Sequence, residues 1–292
     1  MSKRSNILIA GIDGGGTGCR VAIADQDRNI LGRSEGGPAN PTYTPFEARA
    51  NILAAIEAAR LDAGLEKTDL KRINAFAGLA GVRNEGDAGF IARALPFARA
   101  EVVEDRVTTV TGALGGQDGA VVAVGTGSFV AHSFAGSTQY IGGWGFHLGD
   151  QASGSWLGHE LLKRVILCAE GVAPHSALTR AALARYDSPD AIYEFSIAAT
   201  PAEFAELAPM VVQAAQNGDP VALELMHEGA DYIVKALNAA GYKGQTPLCL
   251  TGGLGPQYAG FLPPAYGAKV VKPAGTALDG ALLLAQRMEA TV

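Results

Sequence analysis

Short apolar runs, each stopped by glycine or an acid, alternate along this chain with longer stretches of helical period. Ile7, Leu8, Ile9, Ala10 and Ile12 make the first run and Val21 to Ala24 the second. Runs this short and this apolar read as buried strands. Asp13, Gly14, Gly15, Gly16, Thr17 and Gly18 lie between them with no helix, so the pattern predicts a hairpin whose turn can take positive φ. A polar turn, Asp25 to Asn29, leads to a third strand over Ile30 to Ser34 and completes an antiparallel meander. A loop from Gly36 to Pro41 follows. From Pro45 to Gly64, Ile52, Ala55, Ile56 and Ala59 mark one face of a helix. Ile73 to Leu79 reads as a strand running into the Gly78–Gly81 loop, Asp87 to Leu95 as a helix, Glu101 to Glu104 as a strand and Val107 to Leu114 as a helix.

The opening pattern then recurs. Ala120 to Val124 is an apolar strand, Gly125-Thr126-Gly127-Ser128 a small-residue turn, Phe129 to Phe134 a strand, Ala135 to Ser137 a turn and Thr138 to Gly142 a strand. The match in length, order and turn chemistry, roughly 110 residues apart, reads as an internal duplication and predicts two related domains, each opening on a meander. If the two glycine turns face each other they line one cleft, and ligand sites favour such clefts. Beyond an irregular loop over Gly142 to Ser155, helices are predicted over Trp156 to Ala169, Ser176 to Tyr186, Pro201 to Gln216 and Pro220 to Ala240. Ser188 to Thr200 reads as short helix or loop. A strand at Pro247 to Thr251, a short one at Val270-Val271 and a last helix from Ala277 to Ala290 close the chain.

Composition narrows the class. Of 292 residues 48% are hydrophobic and 18% charged, which provides for a large core in two domains or one large one. A net charge of −6 with no basic cluster disfavours nucleic acid or an anionic membrane as partner. Cys19, Cys168 and Cys249 are far apart, each in an apolar run, as in a reduced cytoplasmic protein. The N-terminus lacks a signal-peptide cleavage region and no run approaches the length of a membrane span.

Chemistry concentrates in the glycine turns. Asp13 at a strand end is costly to bury unpaired, and a hydrated Mg²⁺ is one natural partner; an ordinary tight hairpin with an exposed acid is the other reading. A Rossmann turn fails because the glycine series from Gly14 breaks at Cys19 and a strand follows, and a P-loop fails because the chain has no Gly-Lys pair. His159-Glu160 lacks the second histidine of a zincin, since Lys163 stands there, and Thr126 and Val130 exclude a nucleophile elbow at Ser128.

Asp13-Gly14-Gly15-Gly16-Thr17, Gly125-Thr126-Gly127-Ser128 and Gly252-Gly253-Leu254-Gly255 together resemble the phosphate-1, phosphate-2 and adenosine motifs of the actin/hexokinase/Hsp70 superfamily. With GGWGFHLGDQASGSWLG from Gly142 and PAGTALDGALLLA from Pro273, the chain is similar to the N-acetylglucosamine and bacterial glucosamine kinases of the BadF/BadG-type group, over Ile7 to about Ala285. The resemblance implies two ribonuclease-H-like α/β domains with a nucleotide cleft, one at 1–114 completed by a helix at 277–292, the other at 115–276. It implies ATP and Mg²⁺, a small amino sugar phosphorylated at its 6-hydroxyl, and a homodimer. Asp105 stands where the family has its catalytic base; its alternative is a helix N-cap, and Glu104 and Arg106 flank it. Asp13 would hold Mg²⁺ through water, while Gly14, Gly15, Gly16, Thr17, Gly125, Thr126, Gly127 and Ser128 serve phosphates and Gly252 and Gly253 the adenosine. Asn40, Gly78, Trp144, Gly145 and Asp150 would hold the sugar, against plain turn or anchoring roles for Asn40 and Trp144. Two rival classes remain: an ATPase coupled to conformational change, whose iron–sulfur cysteines lack a counterpart here, and a sugar-sensing regulator, whose DNA-binding extension has no room before Asp13.

Overall fold

The computed structural model describes residues 8–42 and 44–288, so Ile7 and the predicted helical positions 289 and 290 lie outside the described residues. The chain divides into two compact units, Met1–Gln117 with Pro273–Val292, and Asp118–Lys272.

The first unit is built on a mixed sheet. β1 (Leu8–Gly14), β2 (Cys19–Asp25) and β3 (Ile30–Gly36) form the predicted meander. β4 (Ile73–Leu79) and β5 (Arg99–Glu104) join parallel to β1, giving the order β3-β2-β1-β4-β5. The run Ile9, Ala10, Ile12 is fully buried because the sheet is covered on both faces. One face packs on α1 (Pro45–Asp62) through Ile52, Ala55, Ile56 and Ala59, the helix face marked in the sequence. α2 (Glu85–Ala92) lies beside β5, and α3 (Asp105–Leu114) begins directly after it. On the other face Ile9, Ala22, Ala24 and Phe76 meet Leu282 and Ala285 of the C-terminal helix (Ala277–Arg287). That helix crosses α3 at near backbone contact. A Cβ on Gly112 would strike the Thr276 carbonyl, and one on Gly280 the Thr108 carbonyl.

The second unit repeats the plan. β6 (Gly119–Val124), β7 (Ser128–Phe134) and β8 (Ser137–Gly142) form a meander, and β9 (Leu248–Thr251) and β10 (Val270–Val271) add in parallel. Its order, β8-β7-β6-β9-β10, is that of the first sheet with β6 in place of β1, so the duplication inferred from the motifs is present in the topology. Between β8 and β9 run α4 (Gly154–Ala169), α5 (Ala177–Tyr186), α6 (Pro189–Ala198), α7 (Pro201–Ala205), α8 (Ala208–Gln216) and α9 (Pro220–Ala239), and α10 (Pro264–Gly267) precedes β10. α6 resolves the ambiguous Ser188–Thr200 stretch as a helix capped by Ser188.

The single helix expected over Pro201 to Gln216 is two. Pro209 lacks an N–H and its ring opposes the carbonyl four residues back, so the helix ends at Ala205 and restarts with Pro209 in the first turn of α8. A 3₁₀ stretch at Gly255–Phe261 was also absent from the pattern; its short period carries no stripe for sequence to reveal. All three cysteines are buried, as expected, and no disulfide joins them.

Candidate functional site

In the first unit the C-terminal ends of the parallel strands β1, β4 and β5 gather the candidates, where open α/β sheets present their ligand sites. Asp13 is in register with Gly78, Gly78 with Val103, and Leu79 with Glu104, so Asp105 emerges one step past the same edge. Backbone bonds stitch the loops together. The Ala39 N–H donates to Gly15 O at 2.9 Å and the Ala80 N–H to Gly14 O at 2.8 Å. The Asn40 loop, the loop after Gly78 and the glycine turn are thereby one structure. Asn40 Oδ1 accepts from the Thr42 N–H at 2.9 Å and sits against Gly81, the turn role considered for it.

Asp105 is the first residue of α3, not its cap. Glu104 takes the cap position in extended conformation and no side chain caps the helix. The Asp105 carboxylate is thus free of the N-cap role that Asp commonly plays. Burial, helped by the carboxylates of Glu104 and Asp13, pushes Asp105 up to about 6, with Arg106 opposing. Arg106 is drawn to Glu104, Nη2 to Oε2 at 2.7 Å, which occupies Glu104. Asp13 is likewise raised by burial, against the pull of Arg20, whose Nη1 lies 3.3 Å from Oδ2. Two carboxylates that feel each other in a partly dry site favour a cation. Among the described residues no three His, Cys, Asp or Glu cluster to hold a metal. A hard divalent ion that keeps its waters and takes one or two carboxylates with phosphate oxygens therefore fits, whereas a resident metal cage does not.

The glycines sort by why they are glycine. A side chain on Gly14 would meet Leu79 and Ala39, one on Gly78 would meet Thr108, and one on Gly127 would meet Asp150. Those positions are required by packing. Gly16, Gly125 and Gly253 differ: among the described residues a Cβ there meets nothing within 4 Å, and none of the three has left-handed φ. Neither packing nor backbone conformation requires glycine there, while a ligand lying close to the main chain would.

In the second unit the β6–β7 turn is the hub. Gly154 N–H donates to Gly125 O at 2.8 Å, Gly143 N–H to Ser128 O at 3.0 Å and Leu254 N–H to Val124 O at 3.0 Å. These bonds draw the Trp144-Gly145 loop, the start of α4 and the Gly252-Gly253 loop around Gly125 and Thr126. Asp150 is buried at φ +60°, a strained conformation for a non-glycine residue. Its Oδ1 accepts from the Ser128 N–H at 3.2 Å, and burial raises its pKa against that bond. Ser128 Oγ donates to Gln151 O at 2.6 Å, so this side chain binds the loop. Trp144 is 68% exposed and does not anchor the loop by burial. Gly252, at φ +80° and against the Val124 carbonyl, is a turn requirement.

A cavity of about 510 Å³ opens beside this hub, lined by Gly125, Thr126 and Gly253 from the motifs and by Pro209, Val212 and Leu254. Gln213, Gln216 and Gln257 also line it, and sequence reasoning missed all three. The available signal was Gln213 and Gln216 at i and i+3, on one face of a helix, just after the break at Pro209.

Comparison with known proteins gives one family. The BadF/BadG/BcrA/BcrD ATPase family profile matches residues 10–285. A glucosamine kinase of Vibrio cholerae is 32% identical over 281 residues, covering 96% of both chains. A crystal structure from Chromobacterium violaceum, described as that of a candidate N-acetylglucosamine kinase, superposes with a TM-score of 0.87 at 37% identity, over 95% of this chain and 98% of that one. A ROK-family glucokinase from Streptomyces griseus, at 17% identity and a TM-score of 0.58 over 96% and 99% of the two chains, shares the fold. The architecture is thus the α/β, two-domain plan of the actin-like ATPases.

Proposed function

This chain belongs to the BadF/BadG/BcrA/BcrD ATPase family, and on that premise we propose that it is an ATP-dependent amino-sugar kinase acting on N-acetylglucosamine or glucosamine. The observation that carries the reading is Asp105, a carboxylate held at about 6 beside Asp13 at the sheet edge and bound to no helix cap. A general base works best with a pKa near the operating pH, where it is ionised yet still takes a proton in the transition state. The acceptor we assign is the sugar 6-hydroxyl, a primary alcohol and the least hindered on the ring. Its proton passes to Asp105 as the oxygen attacks the γ-phosphorus and the bond from that phosphorus to the β–γ bridging oxygen breaks, with ADP as the leaving group.

Phosphoryl transfer asks the protein chiefly for positioning and charge. We assign the turns Gly15–Thr17 and, separately, Gly125–Gly127 to phosphate oxygens, with Gly16, Thr17, Thr126 and Gly127 as the N–H donors, since Gly15 N–H donates to Gly18 O at 2.8 Å and Gly125 N–H to Gly127 O at 2.9 Å, while Gly16 and Gly125 leave open space. Asp13 would hold the waters of a Mg²⁺ ion, which would supply positive charge to the transferring phosphate. Asn40, Gly78, Trp144, Gly145 and Asp150 are assigned to the sugar. Asp150 is the strongest among them, because a buried carboxylate held in a strained backbone by the Ser128 N–H is costly to keep without a further role. We take the two units as the two domains of the family fold. Three buried thiols favour a cytoplasmic setting, where cysteines stay reduced. The homodimer rests on the resemblance alone.

Buried cysteines also speak against the rival reading, an ATPase that shares a cysteine-bound cluster between subunits, because such ligands must reach the surface. A coupled assay of ADP release over glucosamine, N-acetylglucosamine, glucose and no sugar tests the choice. An amino sugar should raise the rate roughly tenfold or more over glucose. Release at the same rate without sugar would overturn the kinase reading.

A further inference from the structure

The cavity beside Gly125 has a feature that the glycine motifs do not explain. Its apolar walls, Pro209, Val212 and Leu254, suit a flat aromatic ring, and among the described residues none that lines it is charged. Its polar side chains are the Thr126 hydroxyl and the amides of Gln213, Gln216 and Gln257. Gln216 Nε2, from α8, donates to Gln257 Oε1, from the Gly255–Phe261 turn, at 3.4 Å. The bond is at the long end of the range and its partners are exposed, so it is readily remade.

An amide pair of this kind is reversible. The last torsion of glutamine is broad and two-fold, so each amide can turn over at little cost. In the present arrangement Gln216 Oε1 remains to accept and Gln257 Nε2 to donate. If both amides turn over, the bridge runs from Gln257 Nε2 to Gln216 Oε1, and the free groups become a donor on Gln216 and an acceptor on Gln257. Adenine presents a donor, N6–H, beside an acceptor, N1. Guanine presents the reverse, O6 beside N1–H. The bridge meets either edge without losing itself. A backbone N–H or carbonyl at the same place would have a fixed polarity and would reject one of the two bases.

We propose that the Gln216–Gln257 pair is the base-reading element of this cavity and that it admits purine nucleotides without strong choice between adenine and guanine. This rests on the phosphoryl-transfer reading above and extends it to the donor: GTP as well as ATP supplies the phosphoryl group. A pyrimidine offers the same edge patterns but less ring surface to Pro209, Val212 and Leu254, and binds more weakly for that reason.

Isothermal titration of the full chain with Mg²⁺ and ADP, GDP or UDP tests it. ADP and GDP should bind within about tenfold of each other, the size of discrimination that a single fixed hydrogen-bonding pair would exceed, and UDP should bind more weakly than both. Gln257→Met, close in length but without the amide, should weaken ADP and GDP together by roughly three- to tenfold while its circular dichroism and melting stay those of the parent. GDP binding about a hundredfold weaker than ADP would overturn the inference and leave the kinase reading intact. So would unchanged affinities in Gln257→Met. Failure of a folded protein to bind ADP at all would overturn the kinase reading itself.

Discussion

Asp105 is held in the folded chain at an energetic cost. Its pKa rises from the ordinary 3.8 to about 6, so the native state binds this proton more tightly than the unfolded chain does. That gain is complete below about pH 4 and is lost as pH rises through 6; at neutral pH the ionised carboxylate destabilises the fold. A rise of this size corresponds to about 3 kcal/mol, and the partial exposure of Asp105 reduces this to about 1–2 kcal/mol. Asp105→Asn should therefore raise the melting temperature while lowering turnover at least 10²-fold with sugar affinity kept. A protein that melts earlier and turns over normally would contradict both roles. The same pKa predicts that kcat/KM falls about tenfold per pH unit below pH 6, and a profile flat down to pH 5 would remove Asp105 as base. Residues of this kind were legible in sequence through motif position. Their electrostatics were not, because Glu104 could face the site or pair with Arg106, and only the fold makes that choice.

At the scale of elements, two classes of glycine separate stability from binding. Gly280 lets the C-terminal helix lie on α3, with Thr108 O where a side chain would begin. Gly280→Ala must push the helices apart or distort them, at about 1–3 kcal/mol, and the urea midpoint should fall accordingly. Gly16→Ala meets open space and should change that midpoint little, while weakening ADP binding if the turn holds phosphate. Equal loss of stability in the two variants would show that packing, not a ligand, dictates both. The helix marked over Pro45 to Gly64 was readable because its apolar face is continuous, whereas the break at Pro209 was hidden by apolar period running across both fragments.

For the whole molecule, the Asp118–Lys272 unit is one continuous segment with its own core, including Val122, Leu157, Leu225 and Ile233. Expressed alone it should unfold in one cooperative transition, followed by circular dichroism. A fragment ending at Lys272 should instead lose the first unit, since Ile9, Ala22 and Phe76 would be left without Leu282 and Ala285. A non-cooperative isolated Asp118–Lys272 segment would show that this core is insufficient. The sequence by itself determined the strands, the duplication and the order of the glycine turns, because apolar period and turn chemistry act between near neighbours. Tertiary structure alone decided which glycines are packing requirements, which carboxylates burial raises, and that three glutamines join Gly125 and Gly253 around one cavity. Those outcomes depend on residues far apart in the chain, whose meeting no local pattern encodes.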